Sequence, residues 1–195
     1  KYAAERIAAA TDDRLVFLRD AIRSRSYQYD VSHETRIGFV VPTYFQGLPS
    51  ILTFFLNKLR LTGYADQYAY VVLTCGESTG DAAGQMAKML RNKGVTLSAQ
   101  FGIPMVDNYI PMFKIAEDGV IAEQLDLADE YIDEAARAIR ALGIGDYNRC
   151  QGRLPAVRTA AAYPLYAHGR STKPFLVTDE CIKCGLCQEI CPCGA

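Results

Sequence analysis

The chain has 195 residues, half of them hydrophobic, with a net charge of −1. That is enough for one globular domain and a small appendage, and a pI of about 6.2 leaves no electrostatic footprint for nucleic acid or an anionic membrane surface. No apolar run reaches the ~18 residues of a membrane span, and no charged start leads into a secretion signal.

The first eleven residues, KYAAERIAAAT, lack a methionine and form an amphipathic helix pattern with nothing ahead to cap it. The reading is a chain cut at its N-terminus, and at its C-terminus as well. Arg14 to Leu18 (RLVFL) reads as a short β-type run. Arg36 to Val41 (RIGFVV) is a continuous apolar run rich in β-branched residues. In SILTFFLNKLR, Ile51, Leu52, Phe55, Leu56 and Leu59 fall on one helical face, with Gly63 as the stop signal beyond it. Tyr68 to Thr74 (YAYVVLT) is a second continuous run. DAAGQMAKMLRNKG predicts a helix with Ala82, Met86, Met89 and Leu90 inward, closed by Lys93 and Gly94.

From Val95 to Ile103 the pattern changes to period two: Leu97, Ala99, Phe101 and Ile103 alternate with Thr96, Ser98, Gln100 and Gly102. Ile121, Leu125, Ala128, Ile132, Ala135, Ile139 and Leu142 then step by four and three through one long helix ending at Gly143. Strands separated by helices predict right-handed βαβ units, and hence an α/β fold with a doubly wound parallel sheet covered on both faces. Continuous apolar runs suit the middle of such a sheet. Ile37–Val41 and Tyr68–Thr74 are therefore expected at its centre, and Val95–Ile103 at a rim.

Residues 143–180 are broken by Pro155, Pro164, Pro174, Gly145, Gly152 and Gly169. No acidic residue occurs between Asp146 and Asp179, whereas Arg149, Arg153, Arg158, Arg170 and Lys173 do. This reads as a connector with a short helix at VRTAAAYPLY. Its basic face is either a solvated linker or a surface toward an anionic cluster or an acidic redox partner. The expected domains are 1–142 for the sheet, 143–176 for the connector and 177–195 for the appendage.

The appendage holds five of the seven cysteines. Cys181, Cys184, Cys187 and Cys191 are spaced C-x2-C-x2-C-x3-C-P, with Cys193 as an extra thiol. Three thiolates spaced this way can wrap three corners of a cubane iron–sulfur cluster. Structural zinc, the alternative, prefers two separated C-x2-C pairs. In two-cluster ferredoxins the fourth cysteine of each run serves the other cluster, so the arithmetic predicts a second run downstream. The thiols are too closely spaced for ordinary disulfides, which points to a reducing, cytosolic compartment.

In such sheets ligands bind beyond the carboxyl ends of the strands. Two loops leave there: Pro42 to Ser50 (PTYFQGLPS), with Tyr44 and Phe45 at its tip, and Thr74 to Gly80 (TCGESTG), with glycines and hydroxyls. An aromatic wall facing a polar, glycine-rich one suits a flat heteroaromatic ring. The competing reading packs the aromatics on the connector and leaves Thr79 or Asp81 to cap the next helix. Cys75 reads either as a ring contact or as a small buried apolar residue, Cys150 as a free thiol, and Asp107 and Asn108 as turn formers. His33 and His168 form no pair, and no Ser-His-Asp, Cys-His or paired-carboxylate constellation is visible.

Together, IGFVVPTYFQGLPSILTFFLNKL, YVVLTCGESTGDA, PMVDNYIPMF, AAYPLYAHGR and DECIKCGLCQEICP resemble the flavodoxin–ferredoxin fusions known as EFR-type ferrodoxins, common in anaerobic bacteria. The resemblance runs over nearly the whole chain. It implies a flavodoxin-like domain that binds FMN, with its first strand and phosphate loop lying before residue 1, joined to a ferredoxin module with two [4Fe–4S] clusters. It places Thr43, Tyr44, Phe45 and Gly47 against one side of the flavin ring and Thr74, Cys75, Gly76, Glu77 and Ser78 along the other. Cys181, Cys184, Cys187 and Cys191 become cluster ligands. The implied function is electron transfer between FMN and the clusters, as a carrier or a reductase, with redox proteins or small electron donors and acceptors as partners. The rival reading is a cofactor-free, flavodoxin-shaped interaction domain with a zinc-binding tail.

Overall fold

A computed structural model describes residues 1–107, 109, 113–166, 173 and 176–190. Its framework is a parallel sheet of four strands, β2 (Arg36–Pro42), β4 (Tyr68–Cys75), β5 (Ala99–Pro104) and β6 (Gly145–Tyr147), in the order β2-β4-β5-β6. Short β1 (Gln28–Asp30) and β3 (Arg60–Thr62) pair in parallel beside it. The α/β architecture expected from the alternation of strand and helix patterns is present, with helices on both faces.

Strand β4 is the spine. Its side chains alternate between two cores, as a period of two requires. Ala69, Val71 and Leu73 face α2 (Leu18–Arg23), α3 (Ser50–Lys58) and α4 (Ala82–Arg91), where Leu52, Leu56, Met86 and Leu90 close the layer. Tyr68, Tyr70 and Val72 face α1 (Tyr2–Thr11) and α5 (Asp118–Arg140), against Ile7, Ile132, Ala135 and Ile139. Burying each large aliphatic side chain contributes about 2 kcal/mol before entropy is counted. On the surface, Arg6 of α1 pairs with Asp129 and Asp133 of α5 at 3.0 and 2.8 Å. These exposed pairs set orientation more than stability.

Three local expectations are overturned. Arg14–Phe17 form no strand, and Leu18 opens helix α2; three apolar residues without a paired neighbour do not make a ladder. β2, expected at the centre, lies at one margin of the sheet with most of its residues half-buried, while β4 beside it is almost wholly buried. β5, expected at a rim, is interior because β6 adds outside it: Ala99, Gln100 and Phe101 pair with Gly145, Asp146 and Tyr147. The ring of Tyr147 stacks on that of Phe101, with centroids 5.0 Å apart.

The helix patterns fare better. α3 buries Leu52, Phe55 and Leu56 but leaves Ile51 half-exposed, and it ends at Lys58, ahead of Gly63. α5 buries Ala128, Ile132, Ala135 and Ile139, whereas Leu125 is exposed, and the helix ends at Arg140, leaving exposed Leu142 beyond it. Among the described residues, no helix is long and apolar enough to cross a membrane.

Candidate functional site

Register decides what meets at the top of the sheet. Pro42 is level with Thr74, and Cys75 with Pro104. The loops after β2, β4 and β5 therefore leave side by side at the carboxyl edge, where ligands of parallel sheets bind. The first two loops are tied at their base, since the Thr43 N–H and hydroxyl both donate to the Thr74 carbonyl, at 2.8 and 2.9 Å.

The first loop is a tight hairpin. Tyr44 and Gly47 exchange both backbone hydrogen bonds, at 2.9 and 3.0 Å, and the two residues between them, Phe45 and Gln46, have φ of 50° and 65°. A turn with two left-handed central residues favours Asn-Gly or Gly-Gly. Phe-Gln in that place is strained by about 1–3 kcal/mol per residue and persists only where surroundings fix it. Those surroundings come from the connector. The Thr159 hydroxyl, on α6 (Pro155–Ala162), donates to the Gln46 carbonyl at 2.6 Å and accepts from the Asp81 N–H at 2.8 Å. Tyr163 Oη donates to the Leu48 carbonyl at 2.6 Å, and the Ser50 N–H donates to Tyr166 Oη at 3.1 Å. Gln85 Oε1 accepts from the Leu48 N–H at 2.9 Å. A Cβ on Gly47 would lie 2.4 Å from the Tyr163 ring, so glycine there is a requirement of packing.

The aromatic tip forms a cluster. Phe45 lies 5.9 Å from Tyr109 and 6.0 Å from Tyr166 between ring centroids, and Tyr44 also lies 6.0 Å from Tyr166. The two aromatics thus pack on the connector, as the competing reading expected, while Tyr44 remains 47% exposed. Across the gap, Ser78 donates to Gln46 Oε1 and bridges the two loops. Thr74 is half-buried, Cys75 and Ser78 are buried, and Gly76 and Glu77 are exposed. Glu77 pairs with Arg158 of α6 at 2.7 Å. Neither Thr79 nor Asp81 caps α4 with its side chain. Thr79 is fully buried and accepts from Asn148 Nδ2 at 2.9 Å. Asp107 forms the expected turn, accepting from the Tyr109 N–H at 2.9 Å; Asn108 lies outside the described residues.

All nine residues expected around a ring are therefore gathered at one edge by the fold. Sequence reading missed Gln46, Thr159, Tyr163 and Tyr166, which hold the loops in place. Each is a lone polar or aromatic residue whose partner is remote in sequence, so no spacing betrays it.

The tail differs. Every residue from 176 to 189 is exposed. Lys183 and Gly185 take left-handed φ of 55° and 78°, which curls the loop between Cys181, Cys184 and Cys187 before α7 (Leu186–Ile190). The three thiols are free and exposed, but among the described residues no three His, Cys, Asp or Glu side chains converge closely enough to hold a metal. As a donor set, three soft thiolates on a short curled loop fit an iron–sulfur cluster. Cys191 and Cys193, like Arg170 and His168, lie outside the described residues.

The 4Fe-4S binding domain family matches residues 174–195. No curated protein matches the chain. Among solved structures, rubredoxin oxygen:oxidoreductase from the anaerobe Desulfovibrio gigas is similar at 16% identity and a TM-score of 0.42, covering 72% of this chain and 33% of that one. The apo form of the NADH:FMN oxidoreductase EmoB is similar at 16% identity and a TM-score of 0.37, covering 68% of this chain and 78% of that one. The chain thus spans about a third of the length of the first of these proteins.

Proposed function

We propose that the chain is part of an electron-transfer protein in which a flavin, FMN, sits at the carboxyl edge of the sheet and [4Fe–4S] clusters are held by the cysteine tail. The observation that carries this reading is the C-x2-C-x2-C-x3-C-P run from Cys181 to Cys191, inside a segment that matches the 4Fe-4S binding domain family. The flavin half rests on the clustering of Thr43, Tyr44, Phe45 and Gly47 opposite Thr74 to Ser78, and on the resemblance to EFR-type ferrodoxins. When bound, FMN exchanges electrons singly or in pairs and a cubane cluster passes one at a time, which together link two-electron to one-electron partners.

The chain's own residues supply placement and insulation. Tyr44 and Phe45 offer the aromatic face, while the absence of a side chain on Gly76 lets Asp107 pack against its backbone, where a Cβ would lie 2.7 Å from Asp107 Oδ2. The Ser78–Gln46 bond joins the two loops, and those two side chains would supply polar contacts to a ring held between them. The strained hairpin held by Thr159 and Tyr163 fixes the aromatic wall before any ligand arrives. Cys181, Cys184 and Cys187 would provide three thiolates to one cluster, and Cys191 a fourth ligand or a corner of a second cluster.

The test is anaerobic assembly of the intact protein with iron, sulfide and FMN. Iron and acid-labile sulfide should be retained together, with broad visible absorption, and FMN fluorescence should be quenched in wild type but less so in Tyr44→Ala. A colourless, iron-free product overturns the cluster assignment. Stoichiometric zinc without sulfide would instead favour a structural role for the tail. FMN fluorescence unaffected by the protein overturns the flavin assignment.

A further inference from the structure

Two cysteines outside the tail, on elements remote in sequence, meet at the top of the sheet. Cys75 ends β4 on the face that carries Val71 and Leu73. Its thiol is buried and points toward the Ile103 carbonyl at 3.9 Å. Cys150 follows β6, and the chain there folds back over the same face. It can do so because Gly102, opposite Leu73 in the register, has no side chain. A Cβ at Gly102 would lie 2.0 Å from Asn148 Oδ1 and 3.0 Å from Cys150 Cβ.

This return is fixed by hydrogen bonds. The Thr79 N–H donates to the Cys150 carbonyl at 2.8 Å, and the Cys150 N–H donates to Asn148 Oδ1 at 3.0 Å. Asn148, itself buried, donates to Thr79. The result is a thiol pair at the point where the connector crosses the second ligand loop.

We propose that Cys75 and Cys150 form a reversible disulfide that fastens the connector to the carboxyl end of β4. The two thiols lie close enough to shift one another's titration. Nearness to Cys75 holds the Cys150 thiol down at about 7, against an ordinary 9.0, with help from Arg149. The same nearness, together with burial, pushes Cys75 up. The roles follow. Cys150, half-buried and readily a thiolate, is the attacking sulfur, and buried Cys75 is the resolving one.

With glutathione disulfide as oxidant, the Cys150 sulfur attacks one glutathione sulfur and expels the other glutathione as a thiolate. Cys75 then gives up its proton and attacks the Cys150 sulfur, which expels the second glutathione. Two glutathione thiols form, and the protein loses two hydrogens as the S–S bond closes. A disulfide of this kind in a reducing compartment is transient and responsive rather than structural. It would lock Thr79 and the loop from Cys75 to Gly80 to the connector, and it stands independently of the flavin and cluster reading.

The test uses the full chain treated with glutathione disulfide at neutral pH, blocked with N-ethylmaleimide, digested and read by mass spectrometry. A peptide linking Cys75 to Cys150 should appear and be lost on reduction with dithiothreitol. It should persist when Cys181, Cys184 and Cys187 are all replaced by serine, while Cys75→Ser should leave glutathione trapped on Cys150. The proposal is overturned if Cys75 is recovered as its maleimide adduct while Cys150 carries glutathione, or if Cys150 is found linked to a tail cysteine instead.

Discussion

The connector from Gly145 to Tyr166 and the tail from residue 176 to Ile190 look alike in sequence. Both are broken by glycine or proline, and neither carries a long apolar period. Their structures differ completely. The connector adds strand β6, buries Asn148 and Thr159, and sends Thr159, Tyr163 and Tyr166 to the backbone of the loop after β2. The tail keeps Leu176, Val177 and Ile182 each 85% exposed. A segment this short cannot bury enough apolar surface to pay for its own ordering. The connector borrows order from the sheet through hydrogen bonds, whereas the tail's thiols suit an inorganic centre as the organiser. Metal binding in such modules is folding free energy.

The sharpest way to break this comparison is at the contact that lets the connector return to the sheet. Gly102→Val should cost about 3 kcal/mol through overpacking, because Asn148 and Cys150 occupy the space its side chain needs. Thermal unfolding should register that loss, and maleimide labelling of Cys150 should quicken as residues 148–150 are displaced. A normal melting temperature would mean that the connector is not seated as described.

A smaller effect should follow from Thr159→Val, which keeps the shape but leaves the Asp81 N–H and the Gln46 carbonyl without that partner. The expected cost is about 1–3 kcal/mol. The hairpin carrying Phe45 and Gln46 should loosen, seen as faster amide exchange at residues 44–48. If exchange there is unchanged, the strained turn is held by its own residues rather than by the connector.

The smallest effect on the body should come from the tail. Cys184→Ser should move the stability of the sheet by no more than about 0.5 kcal/mol, as for other exposed sites, while abolishing iron retention after assembly. A large fall in melting temperature before any iron is added would show that the tail supports the sheet after all.

These contrasts explain what was legible. Helices α3, α4 and α5 were readable because their apolar residues repeat within a few positions, and β4 because it is buried on both faces. The three-residue strands β1, β3 and β6 were not, since they are too short to carry a period. Missing β6 made the β5 alternation look like a rim strand. The two loops at the carboxyl edge could be located from strand ends, but not the roles of Gln46 or Thr159, whose partners lie on other elements.

By itself, the sequence determined the layered α/β class, the two loops at one edge and the cysteine run with its metal-binding spacing. All three rest on local periods or local spacing, where chemistry and geometry act between near neighbours. Tertiary structure decided the order of the strands, the seating of the connector over Gly102 and the meeting of Cys75 with Cys150. Those depend on which distant segments share the space left by packing, and that is a property of the whole fold.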